Sequence, residues 1–265
     1  MMENKKKENQ NLKQGEQGRP SAFFDFDDTL FYGDSILYWT VYLLKHHPFL
    51  AIWRIPYFLV LPFWFFGLAT TSYLKRLALW PSSWIKPEER EKLAAEFAQK
   101  IIPQYLYPEI VRRMKLHREE GLKTLVLTAS PTLWADYLVN YLPVDEVEGT
   151  RVVFPQSGLR FPRFEQGNFK GGDKVKWLRS RSDWPADGKG CWSYSDGYSD
   201  LPLLLFAEHA VTVHPSFRLK KVAIEKGWII LRPRRPREGW RRLYVKLRML
   251  VWARHMPEPL QTIKP

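Results

Sequence analysis

The sequence predicts an α/β protein: a doubly wound, Rossmann-like parallel sheet, interrupted after its first strand by a mainly helical, apolar insert. Three observations carry this reading. Apolar runs end in aspartate or hydroxyl residues at Phe23-Phe24-Asp25, Leu125-Val126-Leu127-Thr128 and Tyr194-Ser195-Asp196. Each run is short enough for a buried strand, and each is followed by a helix start. A long aromatic segment separates the first run from the second.

Residues 1–20 are polar and lysine-rich, and a disordered tail without a secretory signal is expected there. Residues 21–33 and 122–231 form the expected core, 34–121 the insert, and 232–265 a basic amphipathic tail. In the insert, the apolar stretch Ser35 to Leu44 is too short to span a membrane comfortably. From Ile55 to Leu74 no charged residue occurs, which is long enough for a membrane span. A single crossing would put the residues before and after it on opposite sides of a bilayer. Pro56 and Pro62 interrupt helix regularity, so a re-entrant or interfacial helical hairpin is expected. The alternative is a buried cap core in a soluble protein. Pro87 opens a helix running to Lys100, with its acids in the first turn. Pro108 opens another to Glu120, closed by Gly121.

In the second half, an apolar strand from Leu122 ends in the small residues Thr128, Ala129 and Ser130, and Pro131 suits the first turn of the helix after it. A hairpin is expected between Val152 and Phe169. Gly171-Gly172-Asp173-Lys174 reads as a glycine turn, an aspartate cap and a helix start. Trp228 to Leu231 is the last core strand. Gly239 to His255 is a basic amphipathic helix, with Trp240, Leu243, Tyr244, Leu247, Leu250 and Val251 on one face. That stripe faces either a membrane surface or the core.

At the strand ends, Asp25 and Asp27 have the spacing of a nucleophile and its acid/base partner, although aspartate clusters also mark plain turns. Thr128, Ala129 and Ser130 offer hydroxyls and backbone N–H groups to an anion; Ser130 and Thr29 could equally be caps. Asp28 reads as a turn residue, and Lys170 is a minor rival to Lys174.

The four segments Asp25-Phe26-Asp27-Asp28-Thr29, Thr128-Ala129-Ser130, Gly171-Gly172-Asp173-Lys174 and Ser195-Asp196-Gly197-Tyr198-Ser199-Asp200, in this order, resemble the haloacid dehalogenase-like superfamily. Their form is similar to its phosphoserine phosphatase-like branch, and the apolar insert is similar to that of phosphatidylglycerophosphatase C-type enzymes. One departure is Ser195, where many relatives carry glycine. The resemblance implies a Mg²⁺-dependent phosphatase working through an aspartyl phosphate. It implies Asp25 as nucleophile and Asp27 as general acid and base. Lys174, Thr128, Ala129 and Ser130 would hold the phosphoryl group. Asp25, Asp27 (through its main-chain carbonyl) and Asp196 would hold the metal, with Asp200 and Thr29 in support. Asp34 stands where related phosphoserine phosphatases carry a glutamate that meets substrate, so it is the candidate cap residue, with Lys75 or Arg76 beside it.

Composition narrows the substrate class. The 265 residues carry a net charge of +13, 15% aromatic residues and twelve tryptophans. Such a balance favours an anionic partner, and tryptophan favours a membrane interface over nucleic acid, for which no recognition motif occurs. With one cysteine, no internal disulfide forms, and no disulfide-linked partner is expected. The expectation is therefore a phosphatase for a lipid phosphomonoester such as phosphatidylglycerophosphate, held at the cytoplasmic side of an anionic membrane. The alternatives are a soluble small-metabolite phosphatase and a non-catalytic membrane-binding protein.

Overall fold

A computed structural model describes residues 18–156, 159–235, 239–252 and 256–260. The expected tail thus lies outside the described residues up to position 17. The first half contains β1 (Ser21–Phe24), α1 (Ser35–His46), α2 (Ile55–Phe65), α3 (Thr71–Leu79), α4 (Pro87–Glu96) and α5 (Pro108–Glu119). Next come β2 (Lys123–Pro131), α6 (Thr132–Ala135), β3 (Glu146–Thr150), β4 (Val152–Val153), β5 (Arg163–Phe164) and α7 (Gly172–Arg179). The last six are β6 (Trp192–Ser195), α8 (Leu201–Phe206), β7 (His209–Val213), α9 (Phe217–Glu225), β8 (Ile229–Leu231) and α10 (Gly239–Trp252).

Six strands form one parallel sheet in the order β3-β2-β1-β6-β7-β8. Strand β1 lies at its centre, with Phe23 paired to Leu125 on one side and Ser193 on the other. Helices cover both faces, so β1 is buried throughout rather than on alternate residues. Its side chains still alternate. Ala22 and Phe24 join the large core under the insert, while Phe23 packs with Val175, Leu178 and Leu203 on the other face. The direction in which successive strands are added to the sheet reverses between β1 and β6. A crevice opens there beyond the carboxyl ends of the strands, where open α/β sheets bind ligands.

The insert leaves the core through a narrow neck. Tyr32 N–H donates to Tyr105 O at 2.8 Å, and Tyr107 N–H donates to Leu30 O at 2.8 Å. Helix α5, beyond the neck, returns beside β2 with Ile110 and Met114 buried. The insert is locked to the core by aromatic contact: Trp39 of α1 stacks on Trp134 of α6 at 5.5 Å and packs edge-on to Phe97. Asp34 caps α1 by accepting from Ile36 N–H at 2.9 Å.

Several elements differ from the sequence-based expectation. Helix α2 continues through Pro62, and Pro56 sits in its first turn, where no N–H is needed. Residues Pro48–Arg54 before it form a 3-10 turn. At Gly67 (φ 76°) the chain turns back and α3 packs against α2, so the helical hairpin is present. Helix α2 has no buried residue, which is against the buried-core alternative. Helix α4 ends at Glu96 and widens into a π-turn over Phe97–Ile101. Strand β2 runs on through Pro131, leaving one α-helical turn and then a 3-10 stretch over Asp136–Asn140. Pro131 fits there because β2 pairs irregularly with β3 between Leu127 and Pro131.

Helix α10 lies with its apolar stripe outward. Trp240 is 73% exposed, and Leu243, Tyr244, Leu247 and Val251 are about half exposed or more. Met249 is buried instead, and Val245 packs on the core. Arg54 Nη2 contacts the Leu250 carbonyl, which ties α10 to the segment just before α2.

Candidate active site

The crevice collects the predicted residues. Asp25 follows β1 directly, and its N–H extends the ladder by donating to Tyr194 O at 2.9 Å. This fixes its carboxyl, 9% exposed as a residue, at the strand end. Lys174 reaches it from the first turn of α7. Gly171 makes that approach possible: its φ is 61°, and a Cβ there would meet Ser199 O at 2.7 Å. Asp173, expected as the cap, lies inside the turn and pairs with Lys176 at 3.1 Å, and Gly171 holds the cap position.

Lys174 is 1% exposed and donates to Asp25 Oδ1 and Asp200 Oδ2, both at 2.7 Å. Burial works against its charge, but Asp200 and Asp25 outweigh that and hold its pKa above the ordinary lysine value. Burial likewise lifts Asp25 to about 6 against the opposing charge of Lys174. Ser195 takes a role that glycine could not fill: its Oγ donates to Asp200 Oδ2 at 3.0 Å. Asp200 Oδ1 is buried without a hydrogen-bond partner. Thr29 positions Asp196, whose N–H donates to Thr29 Oγ1 at 3.0 Å. Burial, with Asp28, Asp25 and Asp200 nearby, holds the Asp196 carboxyl well above its usual range.

Asp27 is held differently. Its Oδ1 accepts from Ser35 N–H at 2.8 Å, and its Oδ2 accepts from Ser130 Oγ. Ser130 thus serves Asp27, and its hydroxyl also meets Ser35 Oγ at 2.9 Å. Burial, with the nearby Asp34 charge, pushes Asp27 up to about 7. Thr128 is buried and accepts from Ser130 N–H at 3.0 Å. The Ala129 carbonyl accepts from Thr150 Oγ1 and from Lys75 Nζ, at 3.0 and 2.9 Å. Lys75 therefore brings the insert into the site, and burial lowers its pKa even with Asp34 and Asp27 close by. Arg76 turns away to the Pro162 carbonyl.

Asp28 has a role that the sequence reading missed. It adopts φ 57°, and its carboxylate meets Arg242 and Lys246 of α10. Ser35 was missed as well. Its signal was its place directly after Asp34 at a helix start, where a backbone N–H is free to bind a carboxylate.

The donor set fits a hard cation. Among the described residues no group of three or more His, Cys, Asp or Glu side chains is arranged to hold a metal. Mg²⁺ needs fewer: it retains waters and binds through one or two carboxylates plus substrate oxygens. Crowded carboxylates around Asp196 and the unpaired Asp200 oxygen suit a positive charge.

A model of the haloacid dehalogenase-like hydrolases matches residues 22–205, and the chain belongs to that family. It is 27% identical to a histidinol-phosphatase of Neisseria meningitidis over 79% of this chain and 97% of that protein. It is 26% identical to a phosphoserine phosphatase of Mycobacterium tuberculosis over 79% of this chain and 70% of that one. A Bordetella pertussis protein of unknown function superposes with a TM-score of 0.68 at 23% identity, covering 81% of this chain and 99% of that one. A substrate-bound phosphoserine phosphatase superposes at 0.56 with 14% identity, over 86% and 98%. The chain is thus a hydrolase of that family, and the relatives it matches include proteins named as phosphatases.

Proposed function

We propose that the protein hydrolyses a phosphomonoester carried at an anionic membrane surface, such as phosphatidylglycerophosphate, with Mg²⁺ and through an aspartyl phosphate. The observation that carries the lipid reading is the double character of the insert. It offers α2, with Leu59 66% and Phe65 79% exposed, and it also sends Lys75 to Ala129 at the site. Exposed apolar surface of this extent, next to the outward stripe of α10, favours a lipid interface. The arginines and lysines around both elements suit an anionic one.

In the chemical step, Asp25 attacks phosphorus and the alkoxide leaves with a proton from Asp27. Water then attacks the aspartyl phosphate, and Asp27 takes its proton. A pKa of about 7 suits Asp27 to both transfers near neutral pH. Lys174 anchors Asp25 and offsets phosphoryl charge. Asp25, the Asp27 carbonyl and Asp196 would hold Mg²⁺, which supplies neutralisation of the crowded oxygens.

A second reading, a small-metabolite phosphatase, is favoured by the relatives named for histidinol phosphate and phosphoserine. The test is Mg²⁺-dependent phosphate release from phosphatidylglycerophosphate in mixed micelles, beside histidinol phosphate and phosphoserine. Release from the lipid, lowered at least about 10³-fold in Asp25→Asn, is expected. Release from the metabolites alone would reject the lipid reading.

A further inference from the structure

Helix α10 turns a basic edge toward the core. Lys246 Nζ lies 3.2 Å from Asp28 Oδ2, and Arg242 Nη2 contacts Oδ1. Arg235, after β8, stands 3.9 Å from the same Oδ1 and donates to Tyr107 Oη at 2.7 Å. One carboxylate therefore faces three cations. A fourth, Arg232, lines with them and His214 a cavity of 410 Å³ that opens to solvent beyond the ends of β7 and β8. The cations exceed what Asp28 can neutralise. The Arg242 Nε is buried without a hydrogen-bond partner. Among the described residues only Asp28 (φ 57°) and His214 (φ 46°) are non-glycine residues in the left-handed region, and both border this cluster. Backbone held in such conformations gathers at ligand sites.

We propose that this cavity is a second anion site, taking a phosphate-class group separate from the phosphoryl site at Asp25. Arginine forks match phosphate oxygens in pairs, and three arginines with one lysine around an open volume suit one tetrahedral anion. The group is either the phosphodiester of an anionic lipid headgroup or free phosphate. None of the seven lining residues touches Asp25, Asp27 or Lys174 in any described contact, so the site stands whichever substrate Asp25 attacks.

Calorimetric titration of the full chain with inorganic phosphate is expected to resolve two sites. Arg232→Gln, at an exposed position, is expected to weaken one of them at least about tenfold, the loss of a charge-assisted phosphate pair, and Arg232→Lys to restore part of it. Removing an equal charge at exposed Lys226, as Lys226→Gln, is expected to leave both sites intact. Circular dichroism reports the fold of each variant. A parallel arm measures binding to vesicles of phosphatidylglycerol in phosphatidylcholine. Weaker vesicle binding by Arg232→Gln, but not by Lys226→Gln, assigns the site to the lipid headgroup. Unchanged vesicle binding with the phosphate site lost assigns it to free phosphate. A single phosphate site in the wild type, or two sites unaltered in Arg232→Gln, overturns the proposal.

Discussion

Lys174 is the only cation bonded to both Asp25 and Asp200 among the described residues, and it is enclosed with them. Lys174→Met therefore strands two buried carboxylates. Removing one partner of a buried ion pair costs about 3–5 kcal/mol, so urea unfolding is expected to show a loss of that order together with lost turnover. At the other end of the sheet, buried His117 meets Tyr194 Oη through Nε2 at 2.7 Å. Burial lowers its pKa below 6.5 despite the Glu120 charge, while Arg113 and His209 push the same way. Its unfolded form therefore takes up a proton first as pH falls, and stability present above 6.5 is lost below it. A melting temperature that falls between pH 7 and 5, and falls less in His117→Gln, is the expected result. Single residues were legible in the sequence where chemistry and strand end coincide, as at Asp25, Asp27 and Asp196. Asp28 and Lys75 were not fully so, because their partners come from distant segments: Arg242 and Lys246 for one, Ala129 for the other. No local pattern records such meetings.

Among the elements, α2 is the clearest separable unit. Leu59 and Phe63 are exposed, so Leu59→Glu with Phe63→Glu is expected to leave the melting temperature unchanged. Each apolar side chain withheld from a membrane forfeits about 1.5–3 kcal/mol, so vesicle affinity is expected to drop at least tenfold. Equal binding by the double variant in a sedimentation assay would remove α2 from the interface. The helices were legible where start and stop residues agree, as in α5, opened by Pro108 and followed by Gly121. They were misread where tertiary pairing decided: Pro131, expected in the first turn of a helix, instead pairs with Thr150 of β3. For α10 the period gave the apolar stripe correctly but could not say which face packs. The ion pairs to Asp28 settle that by drawing the basic edge inward.

For the molecule as a whole, the sheet order places the reversal between β1 and β6, and the alternation of apolar runs with helix starts made that architecture readable. Net charge is likewise a property of the whole chain. With +13 and two exposed apolar faces, vesicle binding is expected to have two components. About 1 M salt shortens the Debye length to about 3 Å and should remove the charge component, leaving the apolar one. Complete release at that salt would mean that the aromatic faces stay in water. The neck has a further bearing, on how the chain finds its fold. Ser21 pairs with Lys123, yet the entire insert lies between them. The centre of the sheet cannot zip until that long excursion has collapsed and brought its ends together. Closing such a loop before any reward is slow, so the insert is placed to fold early and act as the hinge pin on which the catalytic strands meet.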